Sequence, residues 1–177
     1  LKPNIPGANK YKGIIDFLDF LKKVNRGEQV KINESIAVIG GDRASVDLAR
    51  SAKRMGFQNV TIIYARSRTE MPVPEPHIQA AEEEGVKIYF QTCPVKIVGE
   101  NGTVIGIECL KTESVLGPYR GKRPLPLQNS NFMIKADKVT STINREPDLS
   151  SFQEKDHFRF SVLNSFSVDP YSLSTNI

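Results

Sequence analysis

The sequence has no tryptophan, only two histidines and two cysteines, and no long apolar run. Cys93 and Cys109 fall on separate predicted strands without CxxC spacing, which argues against a zinc site or a redox dithiol pair. We expect free thiols buried in a reducing compartment. No apolar run approaches the roughly 18 residues of a membrane span, and no signal peptide stands at the start. The sequence therefore predicts no membrane association and a cytoplasmic location.

The residues that are present fit an ordinary globular domain. The chain has 177 residues, of which 39% are apolar and 25% are charged. Its formal net charge of +4 and its pI of about 9.1 are mildly basic. The positive residues are scattered and no aromatic residues are interleaved with them, so we predict no nucleic-acid partner.

The most informative stretch runs from Ser35 to Arg68. An apolar run at 36–39 is typical of a strand buried on both faces, and two glycines follow it. A helical pattern then ends near Gly56, and a second apolar run covers 60–64. Strand, glycine turn, helix and strand within about 30 residues indicate a βαβ unit, the half-module that holds a nucleotide.

The glycine turn points to an anion site, with one exception. N–H groups at a helix N-terminus attract anions such as the pyrophosphate of a dinucleotide. In the pattern G-x-G-x-x-G/A, Gly40 takes the first place and Ser45 the third, but Asp42 takes the second. Its carboxylate would repel a phosphate by roughly 1 to 4 kcal/mol. Asp42 also suits an N-cap, worth about 1 kcal/mol, so a cofactor site and an altered site both stay open.

The loop after the second strand predicts which nucleotide is bound. An NAD site usually carries Asp or Glu at this point, for the ribose 2′-hydroxyl, whereas an NADP site carries Arg. This loop contains Arg66 and Arg68, with Glu70 only afterwards. A guanidinium fork matches the oxygens of a phosphate. Two solvated arginines are the alternative, but after a βαβ unit the pair favours NADP(H).

Short segments spread over nearly the whole chain carry a combined resemblance to one family. Together they resemble the NADPH-dependent glutamate synthase small (beta) subunit and its relatives, which are FAD- and NADPH-dependent oxidoreductases of the pyridine nucleotide-disulphide oxidoreductase type. The segments are Ile5–Gly7, Asp19–Leu21, Val24–Asn25, Ile36–Gly41, Asp47–Gly56, Ser67–Pro72, Glu84–Val86, Arg123–Pro126, Ala136–Asp137, Glu146–Leu149, Val168–Asp169, Leu173 and Thr175.

The resemblance implies a set of cofactor-binding residues. The pyrophosphate would lie against Gly40, Gly41, Arg43, Ala44 and Ser45, with Asp42 beside it. Arg66 and Arg68 would hold the 2′-phosphate. Asn144 stands where the family has a glycine, in a turn that passes close to the cofactor. No residue suggests an acid, a base, a nucleophile or a metal ligand, which suits hydride transfer between two cofactors.

The resemblance also implies partners outside this chain. NADPH would deliver hydride to FAD in the parent protein, and electrons would pass through iron–sulphur clusters to a large glutamate synthase-type or other electron-accepting subunit. The chain carries neither an FAD-type glycine motif at its start nor a cysteine set for a cluster. We therefore expect a domain of a larger flavoprotein, with the FAD domain of the parent chain as its partner and no catalysis by the domain alone.

The predicted fold class is α/β: a Rossmann-like three-layer nucleotide-binding domain with a central parallel sheet and an antiparallel β-hairpin flank. We assign 1–34 to a segment and helix from a missing FAD domain, 35–144 to the NAD(P)H-binding domain and 145–177 to a return segment toward the FAD domain. Outside the βαβ unit we predict helices at 13–24 and 75–84, strands at 86–90, 132–135 and 138–143, a loop at 114–130, and a hairpin turning at Asn101-Gly102.

A rival function belongs to another class. A Rossmann-like domain that has lost its cofactor can serve as a structural or interaction module. Asp42 and Asn144 favour this alternative, as does Ala65, where the family often carries another arginine. The pair Arg66 and Arg68 disfavours it.

Overall fold

The computed structural model describes residues 5–28, 34–116, 122–143, 167–172 and 174–175. Its contacts separate two compact units, Leu1–Ile143 and Asn144–Ile177. The helices of the first unit are α1 (Phe17–Asn25), α2 (Arg43–Arg54) and α3 (Glu75–Glu83). Its strands are β1 (Ser35–Ile39), β2 (Asn59–Ile63), β3 (Val86–Tyr89), β4 (Thr92–Glu100), β5 (Thr103–Leu116), β6 (Lys122–Pro126), β7 (Phe132–Lys135) and β8 (Lys138–Ser141).

The central sheet is parallel and has the order β3-β2-β1-β8. Alternate residues of a strand point to opposite faces. Ile36 and Val38 of β1 pack with residues of the three helices, whereas Ala37 and Ile39 pack with residues of β4, β5 and β7. The three-layer α/β prediction is confirmed: helices cover one face of the parallel sheet and antiparallel strands cover the other.

The antiparallel sheet has the order β4-β5-β6, and β7 also pairs with β5. The predicted hairpin joins β4 to β5, and both of its turn residues have positive φ, 49° at Asn101 and 77° at Gly102. This is the backbone that a type I′ turn requires, and Asn-Gly is the dipeptide that adopts it most readily. The hairpin prediction is confirmed.

The prediction of a loop at 114–130 is wrong in part. Strand β5 continues to Leu116, and β6 pairs with its last five residues. Pro124 lies opposite Ser114 and Pro126 opposite Thr112. Proline has no N–H to donate and is tolerated on an edge strand. Within the described residues β6 pairs only with β5, so Pro124 and Pro126 lie on an edge strand, where a sheet accepts proline.

The predicted start of the first helix is also wrong. Helix α1 begins at Phe17, and the carboxylate of Asp16 caps it by accepting the N–H of Leu18 at 2.8 Å. Gly13 and Ile15 instead exchange backbone hydrogen bonds of 2.9 and 2.8 Å with Val139, along the edge of β8. Pairing with a distant strand here outweighs the local helical pattern, and Leu18 in the first turn of α1 is 59% exposed.

The second unit is described only around a short turn. There the carboxylate of Asp169 accepts the N–H groups of Tyr171 at 3.0 Å and Ser172 at 2.8 Å.

No helix in the described ranges is long and apolar enough to cross a membrane. The division of the chain at residues 34 and 144, and the direction of 145–177 toward an FAD domain, stay predictions.

Candidate functional site

The candidate site lies where three parallel strands end and α2 begins. In a parallel α/β sheet, ligands bind outside the carboxyl ends of the strands. Gly40 and Gly41 follow β1, Tyr64 follows β2, and Thr142 follows β8. The N–H of Thr142 donates to the carbonyl of Ile39 at 3.0 Å, which keeps the end of β8 beside the glycine turn.

Asp42 is the centre of a polar network at this edge. It is the N-cap of α2, and its Oδ1 accepts the N–H of Ser45 at 2.9 Å. The same oxygen accepts the hydroxyl of Ser45 at 2.6 Å and that of Thr142 at 3.0 Å. The two hydroxyl oxygens are 2.7 Å apart, and both residues are buried. The N-cap alternative for Asp42 is confirmed, and its carboxylate ties the start of α2 to the end of β8.

The two glycines are packed by side chains of this chain. A Cβ atom on Gly40 would collide with the hydroxyl oxygens of Thr142 and Ser45. A Cβ atom on Gly41 would collide with the ring of Tyr64, whose hydroxyl donates to the carbonyl of Glu70 at 2.8 Å. Glycine is therefore required at both positions by close contacts within the protein, before any ligand is considered.

Part of the helix N-terminus remains available to an anion. The first N–H groups of a helix have no partner inside the helix. Across the described ranges no hydrogen bond is found for the N–H of Arg43 or of Ala44. The Arg43 side chain is exposed and lies 3.9 Å from the Asp47 carboxylate, a distance at which an ion pair is weak. Two backbone donors are thus open, whereas the third, on Ser45, is occupied by Asp42.

The loop after β2 is held by hydrogen bonds to β4, β5 and their neighbours. The carbonyl of Arg66 accepts the N–H of Gln91 at 2.9 Å, and the carbonyl of Ala65 accepts the hydroxyl of Thr112 at 2.5 Å. These contacts fix the loop backbone against the antiparallel layer.

A carboxylate inside the same loop adds a second anchor. Oε2 of Glu70 accepts the hydroxyl of Ser67 at 2.7 Å, the N–H of Ser67 at 3.1 Å and the hydroxyl of Ser114 at 2.7 Å. These donors lower the pKa of Glu70 from 4.5 to about 2. Glu70 therefore joins the loop that carries Arg66 and Arg68 to β5, a role that its position after the arginines in the sequence did not indicate.

The structure places the two arginines of the loop in different surroundings. The guanidinium of Arg68 donates to Glu75 and Glu82 of α3 and lies 5.5 Å from the ring centre of Phe90. Hydrogen bonds to both carboxylates raise the pKa of Arg68, and the same contact lowers the pKa of Glu82. Arg66 is exposed, and within the described part of the chain its guanidinium has no ion pair or hydrogen bond.

Sequence reasoning missed the residues that complete the site from a distance. Thr142, Tyr64, Glu75 and Glu82 were not singled out, because their contacts depend on how the strands and α3 are placed. Thr142 lies near the end of the strand predicted at 138–143, and that strand was the available signal. Asn144 lies outside the described residues. No cluster of three or more potential metal-ligating side chains is present in the part of the chain that is described.

The geometry fits a diphosphate in part. The open N–H groups of Arg43 and Ala44 and the dipole of α2 favour an anion, and Asp42 opposes one. A parallel sheet of this order, with a glycine turn entering a helix at its carboxyl edge, defines a Rossmann-like domain. A sequence model described as pyridine nucleotide-disulphide oxidoreductase matches residues 1–177. The chain belongs to that family.

Two curated relatives and one solved structure extend the comparison. The NADPH-Fe(3+) oxidoreductase subunit beta of Geobacter sulfurreducens is 35% identical over 82% of this chain. The glutamate synthase [NADPH] small chain of Azospirillum brasilense is 26% identical over 97% of it. The chain spans only 22% and 38% of these relatives. The fold is similar to that of T. acidophilum thioredoxin reductase, with a TM-score of 0.72 and 16% identity, over all of this chain and 51% of that one.

Proposed function

We propose that this chain is the NAD(P)H-binding domain of a flavin-dependent oxidoreductase and presents NADPH to FAD in the intact protein. The observation that carries the proposal is the start of α2 at the carboxyl edge of the sheet, where the N–H groups of Arg43 and Ala44 are open. Family membership supports the chemistry, and both relatives named above carry NADPH in their names. The parent protein would supply the FAD domain, iron–sulphur clusters and an electron-accepting subunit, in the cytoplasm.

The residues of the domain would bind and orient the nucleotide. The diphosphate would lie against Gly40, Gly41, Arg43, Ala44 and Ser45, where the helix dipole favours negative charge. Arg66, on the loop that follows β2, would bind the 2′-phosphate. When bound, the nicotinamide supplies the hydride, and the protein contributes orientation instead of acid–base chemistry. Without the flavin, the isolated domain would bind NADPH but not oxidise it.

Asp42 lowers the affinity that this site would otherwise have. Its carboxylate accepts the N–H of Ser45, one of the donors that a diphosphate would use. Repulsion between the two anions costs about 1 kcal/mol in water and about 4 kcal/mol at the effective dielectric of a protein surface. We therefore expect the isolated domain to bind NADPH with a dissociation constant in the millimolar range.

An amide-resolved titration tests the proposal. The ¹⁵N-labelled chain would be titrated with NADPH and separately with NADH, and the backbone amide shifts followed. We expect saturable shifts at Gly41, Arg43 and Ala44, with tighter binding of NADPH than of NADH. The amides of Asn101 and Gly102, in the hairpin turn, serve as an internal control and should not move. Nucleotide concentrations well into the millimolar range that leave the start of α2 unperturbed would contradict the proposal.

The rival function is a cofactor-degenerate Rossmann-like module with a structural or interaction role. A specific observation favours it: carboxylates of the chain occupy both the third N–H of α2 and the guanidinium of Arg68. The titration separates the two functions. A degenerate module would show no saturable shift with either nucleotide, both in the natural sequence and after replacement of Asp42 by glycine.

A further inference from the structure

We infer that Arg66, of the two loop arginines, is the one that selects the 2′-phosphate, and that Arg68 is a positioning residue that fixes the loop on α3. This inference rests on the proposed function and assigns its nucleotide specificity to one side chain. It departs from the sequence pattern, in which Arg66 and Arg68 are equivalent candidates two residues apart.

The contacts of Arg68 leave it little capacity for another anion. Its Nε and Nη2 donate to Oε1 of Glu75 at 3.0 and 2.7 Å. Its Nη1 and Nη2 donate to Oε1 and Oε2 of Glu82, each at 2.7 Å. A guanidinium carries five N–H donors, so two carboxylates and the face of Phe90 already engage most of the group.

The charge of this cluster also opposes a phosphate. One guanidinium and two carboxylates leave a net single negative charge along the face of α3 that carries Glu75 and Glu82. Glu82 stays ionised at neutral pH, since its pKa is lowered by the hydrogen bond to Arg68. A phosphate monoester carries about −1.5 to −2 charges at pH 7. For Arg68 to offer two N–H donors to it, the side chain would have to release at least one carboxylate contact and leave that carboxylate facing the new anion.

Arg66 meets the opposite conditions. Its side chain is exposed, and none of the described residues forms an ion pair with its guanidinium. Its backbone is nevertheless fixed, because its carbonyl accepts the N–H of Gln91 at 2.9 Å. Burial raises the pKa of Tyr64, and the positive charge of Arg66 opposes that rise. The Arg66 charge therefore acts at the ring that packs on Gly41, beside the proposed diphosphate site.

The test compares nucleotide preference with stability in matched variants of the full chain. Dissociation constants for NADPH and NADH would be measured by amide-shift titration for the natural sequence, R66A, R68A and the uncharged triple variant R68Q/E75Q/E82Q. R26A, which removes an exposed arginine at the C-cap of α1, controls for the loss of one positive charge. Thermal unfolding of each variant reports the positioning role, and the triple variant keeps the test open if R68A is unstable.

We expect R66A to lower the preference for NADPH over NADH by about ten- to hundredfold, the range of a charged hydrogen bond. The triple variant and R26A should keep the preference within about twofold. R68A, which leaves the carboxylates of Glu75 and Glu82 without their partner, serves the stability measurement and should unfold at a lower temperature than R66A. Loss of preference in the triple variant, or its retention in R66A, overturns the inference alone. Absence of binding by both nucleotides, in the natural chain and in D42G, refutes the proposed function and the role of Arg66 with it.

Discussion

The start of α2 and the loop after β2 are the two places where this domain would bind phosphate. In each, carboxylates of the chain pair with some of the hydrogen-bond donors, but they leave different donors open. At α2, Asp42 occupies the N–H of Ser45 and leaves those of Arg43 and Ala44 open. In the loop, Glu75 and Glu82 engage Arg68. Anion-binding capacity in this domain therefore depends on the donors that remain after internal carboxylates are paired, and not on the number of donors in the sequence.

The two regions also differ in what they contribute to stability. The hydroxyls of Ser45 and Thr142 donate to Asp42, and both residues are buried. Loss of either hydroxyl therefore leaves a buried polar partner with one hydrogen bond fewer and no water to replace it. The side chain of Arg68 is 35% exposed, and those of its partners Glu75 and Glu82 are 50% and 37% exposed. Ion pairs of that kind contribute about 0 to 1 kcal/mol. Mutations at the start of α2 should therefore affect folding more than mutations in the loop.

The largest expected effect is at Gly41. G41V places a side chain against the ring of Tyr64, and overpacking of this kind costs about 1–3 kcal/mol or more. The measurement is the free energy of unfolding in urea. Y64A, which removes the ring, provides the control background: G41V should cost clearly less there. An equal loss in both backgrounds would show that the contact with Tyr64 is not the cause.

A smaller effect is expected at Thr142, with a matched threonine beside it. T142V removes the hydroxyl that donates to Asp42 and contacts Ser45, so we expect a loss of about 1–2 kcal/mol in unfolding free energy. The hydroxyl of Thr140 is buried and has no hydrogen-bond partner among the described residues. T140V should be neutral or stabilising. Equal losses in the two variants would contradict the assigned network.

The loop should show its contribution mainly in acid. The pKa of Glu70 is lowered from 4.5 to about 2 in the folded protein, so its ionised form stabilises the fold above the ordinary pKa. That stability is lost as the pH falls from about 5 to about 2. E70Q should be less stable at neutral pH and should lose less on acidification, as followed by unfolding midpoints across this range. Parallel acid profiles for the two proteins would exclude this role.

Local signals in the sequence predicted the elements whose contacts are local. The βαβ unit, the turn at Asn101-Gly102 and the capping of α2 by Asp42 each depend on residues a few positions apart. The start of α1 was mispredicted because the residues before it pair with β8. Strand β6 was mispredicted as a loop because its pairing with β5 is not visible in a local segment that contains prolines.

The missed parts of the site depend on contacts that no local pattern encodes. Thr142 bonds to Asp42 across 100 positions, and Arg68 meets Glu82 across 14. The sequence therefore offered Arg66 and Arg68 as equal candidates for the 2′-phosphate, and it did not show that Arg68 is already paired with carboxylates. Arg68 differs from Arg66 only because α3 packs against the loop and brings Glu75 and Glu82 to the Arg68 guanidinium.

Calorimetric titration of NADPH into the natural chain, D42N and D42G measures directly how far Asp42 weakens an anion site at the start of α2. D42N removes the charge and keeps the shape of the cap, and D42G also opens the backbone. D19N, which removes an exposed carboxylate of α1, is the control for net charge. We expect NADPH to bind about tenfold tighter or more in D42N and at least as tightly in D42G, with little change in D19N. NADPH affinity that is unchanged in both Asp42 variants would contradict the role assigned to Asp42.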